Sequence, residues 1–588
     1  MTRSCKNRLW RSALRSSLAA SLGLLVSAGA MPAHAESQAD ANSVTVRLIQ
    51  LLIQKGVLSK GQASSLLQQA VSENGARPAR APKRHGKAPA PAPVDEVAEQ
   101  EAPPTQQGEV RVTYVPQFVR QQIAQQVRNE VLAEAHAQGG LGSDWGNVPS
   151  NMPEWMQRTH IYGDLRVRYE RDMFDPGNYP GFFNFNAINN GPPLDVASTN
   201  TNPQIPTLNT TENRNRYRLR ARLGFETAID DTISTNIRIG TGSDSSPITL
   251  NQNLGQPGDF QKYAIWLDRA YLDIKPMKGL EVFAGRGPNP FWTSELLFDD
   301  ELGFDGISAQ YKTPVSRDVS VFLNTGAFPV FNTALDFATY SPVKFQSHDA
   351  YLFAAQGGAE WKANKETTFK GAVGYFAFSN VEGSQQACTV LYATQPCPSD
   401  NSRAPFVTFG NTLFPIRDIV PNTVFTGQPE YYGLASRFDI LDLHGRVDLT
   451  NYHPIDIALE GDFVKNLAFN RSSIVARNPQ SNIGFNGAYE GGDTGYQGKI
   501  TVGHLDIKKR WDWNIYGGYR YLESDAVLDS MTDSDFHLGG TNAKGYFIGG
   551  KLGVARDTFV EARWMSANVV SGLPYSNDIL QLDLMSEF

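Results

Sequence analysis

Long apolar runs and catalytic motifs are both missing from most of this chain. After residue 35 no stretch of about 18 apolar residues occurs, so the sequence predicts no membrane-spanning helix. No G-x-S-x-G, H-E-x-x-H or C-x-x-C pattern is present, and the histidines beyond residue 158 are scattered over different segments. These absences argue against an enzyme, and they leave no expectation of a catalytic residue, metal or cofactor.

Cysteine is scarce, with three in 588 residues. Cys5 lies near the N-terminus, whereas Cys388 and Cys397 are nine positions apart in a Gly-, Pro- and Ser-rich stretch without histidine. In an oxidising compartment such a pair is expected to form a loop disulfide rather than a metal site.

Basic residues are the minority, with 53 Lys and Arg against 60 Asp and Glu and a net charge of −7. Five of the basic residues precede a small apolar run, Ser16 to Ala30, and an A-x-A pattern that ends at Ala35. This order predicts an export signal over residues 1–35. Without it, 48 basic residues face 60 acidic ones, a charge of −12, which makes nucleic acid an improbable partner.

The segment that follows divides by composition into a short helical hairpin (36–74), a disordered Pro- and Ala-rich spacer (75–110), and a helix with its lead-in (111–158). The last helix has one apolar stripe, formed by Val119, Ile123, Val127 and Val131. That stripe predicts either a short coiled coil between chains or a lone helix that leans on the following domain.

From Thr159 onward the pattern has a period of two. The clearest case is Arg214 to Thr227, where one face carries the arginines and the other carries Tyr217, Leu219, Ala221, Leu223 and Phe225. A soluble sheet with its arginines in water would explain one such strand. If the apolar face meets lipid instead, the arginines must face a water-filled lumen, because arginine on the lipid side costs about 2–4 kcal/mol at the bilayer midplane.

Recurrence of the pattern favours the second interpretation. Strands are joined alternately by short polar turns and long loops, as in an outer-membrane barrel. Counting hairpins predicts an all-β transmembrane barrel of sixteen antiparallel strands over residues 159–588, with the helical extension in the periplasm. One strand, Glu430 to Thr450, is overlong and is interpreted as bulged near Ile440 and Leu441.

Several segments resemble the putative-porin family of Gram-negative bacteria: Tyr162 to Glu170, Asp268 to Asp273, Ala284 to Phe291 and Gly540 to Tyr546. The resemblance implies a barrel and a channel. The chain end, with Leu580, Leu582, Leu584 and Phe588 in phase, is similar to the last strand of bacterial outer-membrane proteins. This likeness implies that the barrel-assembly machinery reads Phe588.

The expected function is a porin in outer-membrane lipid, a homotrimer that lets small polar solutes diffuse passively. The alternatives are an outer-membrane barrel enzyme, or a tether between the membrane and the cell wall. Liposome swelling with small sugars is expected only of the porin.

The family resemblance further implies that the third outer loop, Pro288 to Glu301, folds into the barrel. Its acidic end, Asp299, Asp300 and Glu301, would then face the basic wall and form a constriction with a transverse field. The alternative is that the loop stays outside with its acids in water. The predicted pore-lining residues are Arg166, Arg168, Arg214, Arg216, Arg218, Arg220, Arg222, Arg238 and Arg269.

Overall fold

The computed structural model describes Met156 and residues 158–197, 200, 204–452 and 454–588. The predictions of an export signal, a helical hairpin, a spacer and a further helix with its lead-in cover residues 1–158, and apart from Met156 and Arg158 they lie outside the described residues. Within the described ranges, no helix has the length and apolar character needed to cross a membrane.

Sixteen long strands, numbered here in chain order, make up the fold of the described residues. Strand β1 pairs with β16 from Asp164 opposite Glu587 to Phe174 opposite Asn577, which closes the sheet into a barrel. The predicted sixteen-stranded antiparallel barrel is confirmed. The strands are β1 Thr159–Phe174, β2 Arg214–Ala228, β3 Ile233–Gly240, β4 Trp266–Met277, β5 Leu280–Gly287, β6 Phe304–Pro314, β7 Val319–Phe331, β8 Ala350–Lys362, β9 Thr367–Ser379, β10 Asp439–Tyr452, β11 Ile455–Asn466, β12 Thr494–Gly503, β13 Trp513–Leu522, β14 Ala543–Ala555, β15 Thr558–Val569 and β16 Ser576–Glu587.

The two faces of each strand differ as the period of two requires. In β2, Arg218 and Arg220 are buried inside the barrel. Tyr217, which precedes Arg218 and therefore points the other way, is 59% exposed on the outer wall. The outer wall of β16 likewise exposes Leu582 and Leu584. A charged residue is tolerated on the inner face because water and counter-charges are available there.

The connections are short at one end of the barrel and long at the other. Eight loops, numbered L1 to L8, lie at the long end: 175–213, 241–265, 288–303, 332–349, 380–438, 467–493, 523–542 and 570–575. L1 contains helix α1 (Phe185–Asn189) and L6 contains helix α2 (Arg471–Ala476). The described N-terminal end of β1 and the C-terminus lie at the short-turn end, which fits the periplasmic side.

L5 departs from the sequence-based interpretation. Strand β10 begins at Asp439, and the preceding residues Tyr432–Leu434 pair instead with Leu413–Pro415 inside the loop. The predicted bulge near Ile440 and Leu441 is therefore wrong. The residues before Asp439 are apolar because they are buried in a folded loop, and in the sequence this apolar pattern resembles a continuation of the strand.

The loops share a hydrophobic core with inward-facing strand residues. Leu296, Leu297 and Phe298 of L3 are almost completely buried, and Phe376 on the inner face of β9 contacts Phe298 with ring centroids 5.3 Å apart. L1, L2, L5 and L7 add further buried apolar residues to the same core. The loops are thus packed into the barrel rather than extended away from it.

The chain end is part of the closure. The backbone N–H of Phe588 donates to the carbonyl of Gly163 at 3.0 Å, and the N–H of Gly163 donates back at 2.9 Å. A β-carbon on Gly163 would clash with the Arg222 backbone carbonyl oxygen and lie 2.8 Å from the Phe588 ring, so this position needs glycine. Phe588 is exposed on the outer wall.

Candidate functional site

L3 lies inside the barrel and is held along its length by inward-facing side chains. The Trp292 backbone N–H donates to Gln356 of β8 at 2.8 Å, and its carbonyl accepts from the same amide at 2.8 Å. The Trp292 ring stacks on His444 with centroids 4.0 Å apart, and the Lys370 ammonium lies 4.0 Å from the same ring. Ser294 donates its hydroxyl hydrogen to Asp462. L3 is therefore placed inside the lumen, not outside it.

The last residue of the predicted acidic set meets the arginine wall directly. Glu301 accepts from Arg220 at 2.5 Å and from Arg166 at 3.0 Å, and its second oxygen accepts from the backbone of Leu250 in L2 at 2.6 Å. Burial opposes the charge, but the two guanidinium groups hold the pKa of Glu301 down to about 2. Glu301 is therefore a fixed negative charge that joins L3 to β1 and β2.

Asp299 and Asp300 point to different partners. Asp299 is buried and accepts from the backbone of Ser534 in L7 at 2.8 Å. Burial and the nearby Glu301 carboxylate raise the pKa of Asp299 well above its usual range. Asp300 is exposed to the lumen. The three predicted acids thus have different roles. Glu301 joins L3 to the arginine wall, Asp299 hydrogen-bonds to L7, and Asp300 faces water.

The lumen-facing arginines of β2 are matched by carboxylates on β1. Arg218 donates to Glu170 at 3.1 Å, and Arg216 forms ion pairs with Glu170 and Asp172. Further down the strands, Asp164 accepts from Arg220 at 2.8 Å and from Arg222 at 2.5 Å. Arg214 is exposed at the outer end of β2. The predicted basic wall is thus largely a wall of ion pairs.

The remaining predicted arginines follow the same rule. Arg168 donates to Asp583 of β16 and to Asp535 of L7, each at 2.8 Å. Arg238 of β3 pairs with Asp268 of β4 at 2.5 Å. Arg269 lies opposite Arg238 in the regular register, and the register shifts directly after this pair. Apart from Arg214 and Arg269, each predicted arginine has a carboxylate partner among the described residues.

The contribution of L7 was missed from the sequence. Asp535 pairs with both Arg168 and Arg563, and Asp533 accepts from Arg520 at 2.7 Å. The strand carboxylates carry a usable signal, because Asp164 and Glu170 share the phase of Arg166 and Arg168 in β1. L7 carries no such signal, since a loop without a period does not reveal which side chains turn inward.

A cavity of about 500 Å³ lies between L3, L7 and the walls formed by β1, β2 and β10 to β16. Its lining includes nine basic and ten acidic side chains. Lys499 and Lys551 face it from β12 and β14, while Glu295 and Asp300 face it from L3. The cavity is therefore strongly polar and nearly balanced in charge. Within the described ranges, no group of three or more His, Cys, Asp or Glu residues is arranged to hold a metal ion.

Cys388 and Cys397 lie in L5, away from this cavity, and are joined by a disulfide. The two cysteines and Val390 form a small buried cluster, against which Ile419 and Phe425 pack. The disulfide is therefore part of the buried cluster that holds L5 together.

Solved structures of other proteins are similar to this chain. The structure is similar to OprB of Pseudomonas putida at high pH, with 10% identity, 75% of this chain and 100% of that chain covered, and a TM-score of 0.40. It is also similar to the outer membrane channel DcaP of Acinetobacter baumannii, with 9% identity, 73% and 97% coverage, and a TM-score of 0.33. A Rhodopseudomonas blastica porin triple mutant has 10% identity, 73% and 100% coverage, and a TM-score of 0.30.

Among curated proteins, no sequence matches. The family described as "Putative porin" matches residues 42–588. The match spans nearly the whole chain, which therefore belongs to the putative-porin family.

Proposed function

We propose that small polar solutes diffuse passively through the water-filled lumen of this outer-membrane porin, beside L3 and along the charged cavity. The observation that carries the proposal is the density of charge around that cavity, with nineteen ionisable side chains in its lining. Such a lining holds water, so it admits hydrated polar solutes. An apolar solute finds no apolar surface there against which it could pack.

Liposome swelling with purified protein tests the proposal. Vesicles that contain the protein should swell in small neutral sugars at a rate that falls steeply as the sugar becomes larger. A planar-bilayer recording should show discrete conductance steps. Vesicles that do not swell, together with a silent bilayer, would favour the tether or a barrel enzyme instead, although family and fold are those of a channel.

L3 and L7 together are proposed to form the narrowest part of the lumen. The supporting contacts are the Asp299 bonds to L7 and the Glu301 bonds to the arginine wall. Because Arg166 and Arg220 neutralise Glu301, the other charges at this level are Glu295 and Asp300 on L3 and Lys499 and Lys551 on the strands. Glu295 lies 3.9 Å from Arg520, and Lys551 lies 3.7 Å from Glu561. These side chains, rather than Glu301, are the proposed source of the transverse field.

A homotrimer is proposed from the apolar tip of L2. Phe260 is 102% exposed, and Leu254 and Ile265 in the same loop are exposed too. Exposed apolar residues at a loop tip commonly contact another protein surface. Phe260→Ser should lower the temperature at which the oligomer dissociates in detergent gels. Val315→Ser, at a residue 66% exposed in the short turn between β6 and β7 at the other end of the barrel, is the control and should leave that temperature unchanged.

The N-terminal extension is proposed to stand in the periplasm behind the export signal, and its last helix is proposed to help hold protomers together. Deleting residues 36–145 should leave a channel-forming barrel whose oligomer resists heat less well. If the truncated protein no longer conducts, the extension is not an accessory.

Recognition of the chain end by the barrel-assembly machinery is proposed from the position of Phe588, which is exposed on the outer wall beside Gly163. Phe588→Ser should reduce the amount of folded barrel in the outer membrane of cells. Refolding of the purified variant into detergent should be affected far less. Equal losses in both settings would assign Phe588 a role in stability alone.

A further inference from the structure

A second pocket opens at the outer end of the barrel, where L1, L5, L6, L7 and L8 meet. Its cavity volume is about 230 Å³. It shares no lining residue with the lumen cavity beside L3. The loops that form it are distant in sequence, and the walls include Phe182 from L1, Phe409 from L5 and Leu573 from L8.

The lining of this outer pocket contains no Asp, Glu, Lys, Arg or His side chain among the described residues. This differs sharply from the lumen cavity, where nineteen ionisable side chains are present. A charged solute that entered the outer pocket would lose hydration without gaining a counter-charge, which is strongly unfavourable. The pocket therefore selects against ions.

One side of the pocket is aromatic and is fixed by ring contacts. Phe182 meets Phe409 and Tyr179 edge to face, with centroids 5.5 and 5.4 Å apart. Phe182 also lies 5.8 Å from Tyr575. Phe182 and Phe409 remain only partly buried, so part of their surface is open. The negative face of an aromatic ring attracts the slightly positive C–H groups of a saturated ring.

The other side of the pocket is lined by side chains that carry amide and hydroxyl groups. Asn482 donates to the carbonyl of Gly410 at 2.8 Å and accepts from Asn542 at 3.1 Å, which holds this wall rigid. Thr408 also lines the pocket, and its hydroxyl is buried without a hydrogen-bond partner among the described residues. Gln480 keeps its amide exposed at the rim, so an occupant with hydroxyl groups at that edge gains hydrogen bonds that a purely apolar occupant does not.

We propose that the outer pocket binds a neutral ring with an apolar face and hydroxyl groups at its edge, the chemistry of an uncharged sugar. The apolar face lies against the aromatic side, and the hydroxyls hydrogen-bond to the amide and hydroxyl side. Pockets that are mostly apolar with a few placed polar groups are the usual form of small-molecule sites. The site goes beyond passive diffusion, because it collects one class of solute at the outer mouth before that solute reaches the lumen.

Isothermal titration of the full-length protein in detergent tests the proposal with three probes: methyl β-glucoside, sodium glucuronate as its charged analogue, and cyclohexanemethanol as an apolar ring. Methyl β-glucoside should bind more tightly than the other two by about tenfold or more. Equal or tighter binding of glucuronate overturns the argument from missing charge. Tighter binding of cyclohexanemethanol overturns the assignment to sugars, and no binding of any probe overturns the site.

Variants locate the binding. Leu573→Trp fills the pocket from L8, and Phe182→Leu removes an aromatic face while keeping apolar volume; each should weaken glucoside binding by about tenfold. Phe485→Leu is the matched control, because Phe485 is 83% exposed in L6 and does not line the pocket. Conductance in potassium chloride should be unchanged in all three variants, which separates failure of this site from failure of the channel. Wild-type glucoside affinity in both pocket variants would contradict the proposal.

Discussion

Glu301 of L3 and Arg220 of β2 are joined at 2.5 Å, and Arg166 of β1 approaches the same carboxylate oxygen at 3.0 Å. All three side chains are largely buried. Removing one partner from a buried ion pair leaves an uncompensated charge, which usually costs about 3–5 kcal/mol. Glu301 therefore decides whether L3 stays against the wall.

We expect Glu301→Gln to loosen L3 and to leave Arg166 and Arg220 without their shared counter-charge. Heat-induced unfolding in detergent should occur at a lower temperature, and the reversal potential across a salt gradient should shift toward anions. The control is Asp305→Asn, since Asp305 pairs with Arg286 in an exposed position and should cost about 1 kcal/mol or less. If both variants unfold like wild type, Glu301 does not clamp L3.

The ion pairs also determine what happens when arginines are removed. Arg218→Ser/Arg220→Ser should shift selectivity toward cations, because Glu170, Asp164 and Glu301 keep their charges. Reversal potentials in a potassium chloride gradient measure this shift.

The matched acidic variant, Asp299→Asn/Asp300→Asn, should shift selectivity toward anions by a smaller amount. The reason is that burial and Glu301 raise the pKa of Asp299, so Asp300 supplies most of the charge that is lost. If neither double variant moves the reversal potential, these residues do not line the conducting path.

The sequence predicted which face of each strand carries charge, but not which charges meet. Phase alone places Asp164 and Arg222 on the same side of the wall. Their pairing depends on the register between β1 and β2, where Asp164 lies opposite Arg222. Register is set by the connection and by every neighbouring strand, so it cannot be obtained from one strand's pattern. The inward folding of L5 and L7 could not be predicted from the sequence either, because their burial depends on contacts between segments that are distant in the chain.

Asp442 of β10 gives a prediction about stability. It is fully buried, and its carboxyl group lies within hydrogen-bonding distance of the Asp462 carboxyl group. Asp442→Asn keeps the shape and removes the ionisable group, so the unfolding temperature should stay the same or rise. Asp462→Ala removes the acceptor of the Ser294 hydroxyl on L3 and should cost about 1–3 kcal/mol. A large loss of stability in Asp442→Asn would show that its charge is needed.

The disulfide leads to the prediction that barrel folding and conductance do not depend on it. Cys388→Ser/Cys397→Ser should leave the barrel folded and the conductance intact, because the bond closes a short segment within L5 and acts locally. Limited proteolysis should show faster cleavage in L5 of the variant. A large loss of conductance with normal barrel assembly would mean that the packing of this part of L5 reaches the conducting path.

We expect Glu295 of L3 to make the selectivity of the channel depend on pH near neutrality. Burial inside the barrel and the nearby Asp533 and Asp300 carboxylates raise the pKa of Glu295 to about 7, although 40% of its side chain remains open to the cavity. Below that pH the carboxyl is neutral, and above it the cavity gains one negative charge.

Cation selectivity, measured as the reversal potential in a potassium chloride gradient, should therefore increase as the pH rises from about 5.5 to 8.5. Glu295→Gln should flatten that dependence because it removes the titrating group. Glu301→Gln should change the selectivity but keep the dependence on pH, since Glu301, with a pKa of about 2, is already ionised throughout this range. A pH dependence of full size in Glu295→Gln would assign the titration to another group in the lumen.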